Sequence, residues 1–280
     1  MLLLMLGEKM DKIKSIKQVF DKFYSENVIK FDDKGHTYEI NGELFTGTTT
    51  VTAIRQKEFL PFLAAKEFYT YLKNLWDITK KYTEEEKEEL LLNGKKAWTQ
   101  KKQKGADSGT IAHDWISDYI LGKSLNRSED KEANNAIDAF LRWEKARQPV
   151  WIASEKIVAS LSQRVAGKID SLALLDNKVT LLDFKTSGTI DESFLLQLFG
   201  YELQLEEMGV KLENRLVLRI PKDGKDAEEL PIKSGIEEFC KRTFIHCREV
   251  HKFNVYVKNN LTDKEGNILL KGESQKGKNV

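Results

Sequence analysis

The sequence predicts a single α/β domain with a helical N-terminal elaboration, and three features support this prediction. Residues 1–27 carry apolar side chains at helical spacing, so they are expected to form one amphipathic helix. A small antiparallel meander should follow, because the turn signals DDKG and NG separate short alternating runs. Helices and strands then follow in mixed order, which is typical of an α/β fold.

Helices are predicted over residues 59–75, 83–104, 107–122 and 131–147. Ser108 is the expected N-cap of the third of these helices, and Gly122 is its expected C-terminal stop. Strands are predicted over residues 150–160, 164–175 and 178–185.

Residues 189–208 should form the next helix, because Thr189 and Glu192 match a capping box and Gly209 follows as a stop. The strands NRLVLRI and AEELPIK and a closing helix over residues 235–252 complete the prediction. We divide the chain into an N-terminal elaboration packed on the core (1–105), the core (106–257) and a polar tail (258–280).

Composition narrows the class of protein. The chain has 280 residues, of which 40% are hydrophobic and 32% charged, as expected of a soluble globular protein. Its net charge is +1, so nucleic-acid binding would require a local basic patch. The apolar start MLLLML is too short to span a membrane, and the two cysteines, Cys240 and Cys247, are expected to be reduced. We therefore expect a cytoplasmic protein without a membrane partner.

The segment RVAGKIDSLALLDNKVTLLDFKTS carries charges inside two apolar strands. A turn at residues 176–177 places Asp170 directly opposite Asp183, and Lys168 opposite Lys185, with all four side chains on one face. Opposed carboxylates repel each other, and a divalent cation such as Mg²⁺ or Mn²⁺ removes the repulsion. Two other readings remain open: Asp183 and Lys185 as an ordinary ion pair, and a bulge that shifts the register.

Four motifs in order, GTIAHDWISDYILG, GKID, DFKTS and QLFGY, resemble the PD-(D/E)XK nuclease superfamily. The first motif resembles the RecB-like branch, and the set is most similar to stand-alone exonucleases of phages and mobile elements and to the mitochondrial genome maintenance exonuclease. The resemblance covers roughly residues 108–201. It implies a restriction-endonuclease-like core, in which helices flank a central mixed β-sheet.

The resemblance also implies roles for single residues. His113, Asp170 and Asp183 match metal ligands, and the carbonyl of Phe184 would complete the metal shell. Lys185 matches the catalytic lysine, which would position the attacking water or stabilise developing negative charge.

Three further residues match less central positions of the family. Gln197 and Tyr201 match the Q-x-x-x-Y helix, and are expected to contact the DNA backbone or to hold the hairpin in place. Glu155 loosely matches a glutamate on the preceding strand that could join the metal shell. The chain departs from the family pattern in having no proline before Asp170 and in carrying Asp rather than Glu at position 183.

A basic cluster with one aromatic residue is a candidate nucleic-acid surface; it comprises Lys95, Lys96, Trp98, Lys101, Lys102 and Lys104. A solvated helix end explains the same pattern equally well. Thr186 and Ser187 would bond to a phosphate or to the start of the following helix. A histidine in the position of His113, taken without the other motifs, is more often structural than a metal ligand.

The resulting hypothesis is a Mg²⁺- or Mn²⁺-dependent DNA exonuclease that acts in phage or mobile-element replication, recombination or repair. Its expected substrate is linear DNA with an end, and a single-strand annealing or replication protein and a second copy of the chain are candidate partners. Neither an iron–sulfur cluster nor a nucleotide is expected, because the four cysteines of some relatives and a Walker A motif are absent from the sequence. The alternatives are an endonuclease or junction resolvase on the same core and a non-catalytic DNA-binding module.

Overall fold

The computed structural model describes residues 2–32, 35, 37–54, 60–77, 79–123, 126–187, 190–262 and 268. The helices are α1 (Leu2–Glu26), α2 (Thr48–Thr52), α3 (Leu60–Leu75), α4 (Glu84–Ile120), α5 (Lys131–Arg147), α6 (Ser193–Met208) and α7 (Glu237–Asn260). The strands are β1 (Ile29–Asp32), β2 (Thr37–Ile40), β3 (Glu43–Gly47), β4 (Val150–Ser160), β5 (Val165–Leu175), β6 (Lys178–Lys185), β7 (Asn214–Arg219) and β8 (Glu228–Pro231).

One mixed sheet of eight strands runs through the structure in the order β1-β2-β3-β5-β6-β7-β8, with β4 paired to β5. The meander β1–β3 is antiparallel, as predicted, and β3 joins the main sheet by pairing in parallel with β5. Strand β7 is parallel to β6, and β8 is antiparallel to β7. The chain is therefore α/β, with a mixed sheet flanked by helices.

The sheet forks at β5. Strand β4 lines one edge of β5 along nearly its whole length. On the other edge, β6 pairs with β5 from Ser171 to Leu175, whereas β3 pairs with it only at Val165 and Ala166. Residues 167–170 lie between these two ladders, so the fork leaves a gap on that edge of the sheet.

Two apolar clusters lie on opposite faces of the sheet. One unites α1 and α6 with β5, β6 and β7 through side chains such as Phe20, Leu181 and Leu205. The other packs α4 and α5 against the same strands and includes Ile116 and Phe140. The fork therefore lies between a helix of each layer, α4 on one side and α6 on the other.

The prediction of two helices between residues 83 and 122 is wrong. Helix α4 is continuous over 37 residues, and Ser108 lies inside it, where it is buried. The helix begins instead after Thr83, whose side chain and that of Glu86 form a capping box. Gly122 follows the helix with a φ of 70°, in agreement with the predicted stop.

Other boundaries also differ from the prediction. Helix α6 begins at Ser193, and Thr189, the predicted cap, lies outside the described residues. Gly209 ends α6 with a φ of 98°, as predicted. Helix α7 continues to Asn260, eight residues beyond the predicted end at residue 252, and most of the tail after it is not described.

The predicted division between residues 105 and 106 lies within α4.

None of the described helices is long and apolar enough to cross a membrane.

Candidate metal centre and adjoining cleft

The β5–β6 hairpin has the predicted register as far as its ladder extends. Asp176 and Asn177 form the turn with φ angles of 50° and 64°, as a two-residue type I′ turn requires. The ladder runs from Leu175 opposite Lys178 to Ser171 opposite Leu182, and it ends there. The next residues in the register are Asp170 and Asp183, so the two carboxylates lie where the strands separate.

The side chain of Asp170 fills the gap in place of a ladder hydrogen bond. Its Oδ2 accepts a hydrogen bond of 2.6 Å from the backbone N–H of Phe184, and its Oδ1 lies 3.2 Å from Nε2 of His113. The carbonyl of Lys185 accepts a hydrogen bond from the backbone N–H of Ile220, the residue after β7. Because successive carbonyls of a strand point to opposite sides, the carbonyl of Phe184 points towards β5. This direction is compatible with the predicted ligand role of that carbonyl.

His113, Glu155 and Asp170 form a cluster of potential metal ligands, whose donor atoms all lie within 4.8 Å of one another. His113 comes from α4, Glu155 from β4 and Asp170 from β5. Nδ1 of His113 lies 3.8 Å from Oε1 of Glu155, so each ring nitrogen faces a carboxylate. Ser117, one helical turn after His113, donates a 3.2 Å hydrogen bond to the same Oε1.

Glu155 adopts a left-handed backbone conformation, with a φ of 55° within strand β4. The left-handed region costs an ordinary L-residue roughly 1–2 kcal/mol. Strained residues of this kind concentrate at binding and catalytic sites, where the surrounding structure holds them. The loose sequence match at Glu155 therefore gains an independent structural observation.

The predicted pairing of Lys168 opposite Lys185 is not formed, because the β5–β6 ladder ends at Ser171 and Leu182. Lys168 pairs with Ile157 of β4 in the ladder, and its Nζ lies 2.5 Å from Oε2 of Glu155. The ammonium group of Lys168 therefore borders the cluster at Glu155.

Asp183 and Lys185 form a second group next to this cluster. Nζ of Lys185 lies 2.9 Å from Oδ1 and 2.8 Å from Oδ2 of Asp183. It also donates a 3.4 Å hydrogen bond to Oε1 of Gln197 on α6, while Nε2 of Gln197 donates to the hydroxyl of Tyr201 at 3.2 Å. Gln197 and Tyr201 are buried, so here they orient Lys185 rather than face solvent.

The charges of the two groups influence each other. Burial opposes the charged form of His113, but Asp170 and Glu155 outweigh it and raise the pKa of His113 to about 9. Burial raises the pKa of Asp183 to about 6; Lys185 opposes this rise and Asp170 adds to it. For Asp170, burial is outweighed by His113 and Lys185, and its pKa is lowered.

A divalent cation fits these residues. Asp183 is 1% exposed, and its Oδ2 makes no hydrogen bond despite its short ionic contact with Lys185. An unsatisfied buried carboxylate oxygen is costly unless a cation completes it. The carboxylate oxygens suit Mg²⁺ or Mn²⁺, and His113, Glu155 and Asp170 are the residues that would hold the ion. Asp183, the other predicted carboxylate ligand, is not part of this cluster of three.

Two glycines permit the close approach of elements at the fork. A Cβ atom on Gly167 would lie 2.5 Å from both Oγ1 of Thr48 and Cε1 of Tyr201. A Cβ atom on Gly109 would lie 2.6 Å from Oγ1 of Thr186, where α4 crosses the end of β6. The glycines of the GKID motif and of the SGT segment thus bring α6 and α4 to the strands that carry the charges.

A cleft of about 640 Å³ leads from His113 along one face of α4. Its lining includes Trp98, Lys101, Lys102, Thr186, Ser187 and Lys222. The predicted basic cluster is therefore divided, because Lys95, Lys96 and Lys104 are not among the lining residues.

Sequence reasoning missed Ser117 and Lys222. Lys222, in the loop after β7, lines the cleft and donates a 2.7 Å hydrogen bond to the carbonyl of Gly105. Nothing in its surroundings KDGKD distinguishes it from an ordinary surface lysine. Ser117 follows His113 at the i+4 spacing, which could have indicated a second polar residue on the same helix face.

No protein-family model and no curated protein matches this chain, so its own residues and geometry provide the basis for a functional assignment.

Proposed function

We propose that the protein is a divalent-metal-dependent DNA exonuclease with a restriction-endonuclease-like core. The observation that carries the proposal is the convergence of His113, Glu155 and Asp170 with the Asp183–Lys185 pair at the fork of the sheet. The motif resemblance points to the same chemistry, and to a role in phage or mobile-element replication, recombination or repair.

The side chains divide the work of phosphodiester hydrolysis. A bound Mg²⁺ or Mn²⁺ would polarise the scissile phosphate and the attacking water. Lys185 supplies a compact positive charge that stabilises the negative charge developing on the phosphate. Gln197 accepts a hydrogen bond from Lys185 and fixes its position, and Tyr201 in turn holds Gln197.

The cleft along α4 gives the DNA strand a path to this centre. Lys101, Lys102 and Lys222 place positive charge along it, and Thr186 and Ser187 lie at its inner end beside His113. From Trp98 to His113 the helix advances by about 22 Å, which is long enough to contact several nucleotides. Trp98 is the residue on which a base would stack.

The test is incubation of the purified protein with end-labelled linear and covalently closed circular DNA, single- and double-stranded, with Mg²⁺ or Mn²⁺. We expect the linear DNA to be degraded and the circles to resist. Lys185→Ala should lower the rate by about 100- to 1,000-fold, because one stabilising group of the transition state is removed. Lys178→Ala, which removes an exposed lysine at the other end of β6, should leave the rate unchanged.

Cutting of the closed circles would replace the exonuclease by an endonuclease or junction resolvase on the same core. Binding of DNA without any metal-dependent cleavage would favour a non-catalytic module. An unchanged rate in Lys185→Ala would place the chemistry elsewhere in the molecule.

A further inference from the structure

Helix α3 is an arm that packs on one element. It lies along the N-terminal half of α4, where Phe68 and Tyr71 pack over Gly94. None of the described side chains of α3 is buried, and among the described elements α4 is the one with which α3 makes an extensive contact. The helix therefore contributes little to the core, and its outer face is open to solvent.

The outer face of α3 carries aromatic and basic residues in alternation. Phe62, Lys66, Tyr69 and Lys73 follow one another at spacings of four, three and four residues. At 3.6 residues per turn these positions fall within a sector of about 60°, and the stripe is about 16 Å long. All four residues are exposed, Phe62 to 77% and Tyr69 to 64%.

The charge of this stripe is uncompensated. Glu67 is the one acidic residue in the sequence of α3, and its Oε1 lies 2.6 Å from Nζ of Lys101. Within the part of the chain that the structure describes, neither Lys66 nor Lys73 forms an ion pair through its side chain. Two ammonium groups without an ion pair, in alternation with two aromatic rings, complement a chain of phosphates and unpaired bases.

The arm that carries the stripe borders the cleft. Lys101 binds Glu67 on the arm and also lines the cleft that leads to His113. One face of α4 thus contacts α3 at Gly94, then carries Trp98, and reaches the candidate metal centre at His113. A DNA strand bound in the cleft would pass α3 at the point where the DNA leaves the protein.

We propose that the outer face of α3, the stripe Phe62–Lys66–Tyr69–Lys73, is a docking surface for single-stranded DNA outside the candidate active site. Single strands are the favoured ligand because stacking on Phe62 and Tyr69 requires exposed base faces, which a duplex keeps inside its own stack. The choice of DNA as the ligand rests on the proposed function. The existence of a docking surface is inferred from the exposed aromatic and basic residues of α3 alone.

The test measures binding without cleavage, in the full-length Lys185→Ala protein. Fluorescence anisotropy with a labelled single strand and with its duplex gives the two affinities. Phe62→Ser/Tyr69→Ser should weaken single-strand binding at least about tenfold and duplex binding by less than about twofold. The matched control is Phe239→Ser/Tyr256→Ser on α7, whose side chains are similarly exposed at 63% and 59%, and it should leave both affinities unchanged.

A second variant removes the charges. Lys66→Ala/Lys73→Ala should reduce the slope of log affinity against log salt by about 1.4 for a single strand, since two phosphate contacts are lost. This variant keeps the proposal testable even where the aromatic double variant fails to fold, which circular dichroism would detect.

Single-strand binding that is unchanged in both arm variants would overturn the proposal. An equal loss for single strand and duplex would overturn the preference for unpaired bases. A change from dimer to monomer in the arm variants, with DNA binding intact, would identify the stripe as a contact between two copies of the chain. A protein that binds single strands through the arm but cleaves no DNA would refute the proposed function alone.

Discussion

Helix α6 lies against two groups of buried charges that differ in how they are satisfied. Towards its start, Gln197 and Tyr201 face the Asp183–Lys185 pair at the fork. Further along, Glu202 binds Arg215 of β7 through both carboxylate oxygens and lies 3.1 Å from Nζ of Lys241 on α7.

Glu202 and Asp183 are equally buried, each 1% exposed, but they are partnered differently. Both oxygens of Glu202 accept hydrogen bonds from Arg215, so this group is a completed ion-pair network between three elements. Asp183 keeps one oxygen without a hydrogen bond, has a raised pKa and lies near a second carboxylate, Asp170. The Glu202 cluster is therefore closed by its own side chains, whereas the Asp183 group is incomplete, as we expect of the proposed metal centre.

The largest expected effect on stability comes from removing the negative charge of Glu202 from its network with Arg215 and Lys241. Glu202→Gln should lower the free energy of unfolding by about 3 kcal/mol, because Arg215 and Lys241 lose the partner that offsets their burial. Urea titration at pH 7 measures the change. Glu228→Gln, at an exposed pair with Arg219, is the control and should cost less than about 1 kcal/mol. Equal losses of stability in the two variants would show that the buried Glu202 network contributes no more than an exposed ion pair.

At Asp183, replacement of the acid by its amide should change the free energy of unfolding in the opposite direction. Asp183→Asn should raise the free energy of unfolding at pH 7 by on the order of 1–3 kcal/mol, while lowering DNA cleavage at least about 100-fold. The reason is that burial makes ionisation of Asp183 unfavourable in the folded chain, whose carboxyl has a pKa of about 6. Urea titration in EDTA, which removes any bound cation, measures the stability of the metal-free protein.

The dependence on pH gives a second measurement for this variant. Above pH 6 the folded wild-type chain carries the buried charge, and below its unfolded pKa of about 3.8 the carboxyl is protonated in both states. The advantage of Asn should therefore be complete above pH 6 and disappear as the pH falls towards 4. A loss of stability in Asp183→Asn at pH 7 would mean that the ion pair with Lys185 outweighs burial.

The hairpin register is predictable from the sequence because a two-residue turn fixes which residues face each other. Counting outward from that turn places Asp170 opposite Asp183, and the observed ladder agrees up to Ser171 and Leu182. The same counting cannot reveal that β3 takes over the edge of β5 that β6 leaves. The fork arises from a pairing between residues more than a hundred positions apart, which no local pattern encodes.

Helix α4 illustrates the other limit of sequence reasoning. Gly105 and Ser108 interrupt its pattern and suggest a break, since glycine and serine are weak helix formers. In the folded chain Ser108 bonds to Asp130 and to the carbonyl of Lys104, and Gly109 allows contact with Thr186. Tertiary contacts therefore outweigh local propensity. The segments that pack on the arm, line the cleft and carry His113 consequently form one continuous helix, α4.

The smallest expected effect concerns backbone strain, which the structure places at Glu155, in the cluster with His113 and Asp170. Glu155→Gly should be about 1 kcal/mol more stable than Glu155→Gln, because glycine accepts a φ of 55° without strain. At the neighbouring Lys156 the order should be reversed, with glycine less stable than glutamine by about 0.5–1 kcal/mol. Thermal unfolding measures all four variants, and both Glu155 variants should also lose part of the Mn²⁺-induced rise in Tm. The same order at both positions would mean that β4 is held at Glu155 without strain, and that the carboxylate owes its position to Ser117 and Lys168 alone.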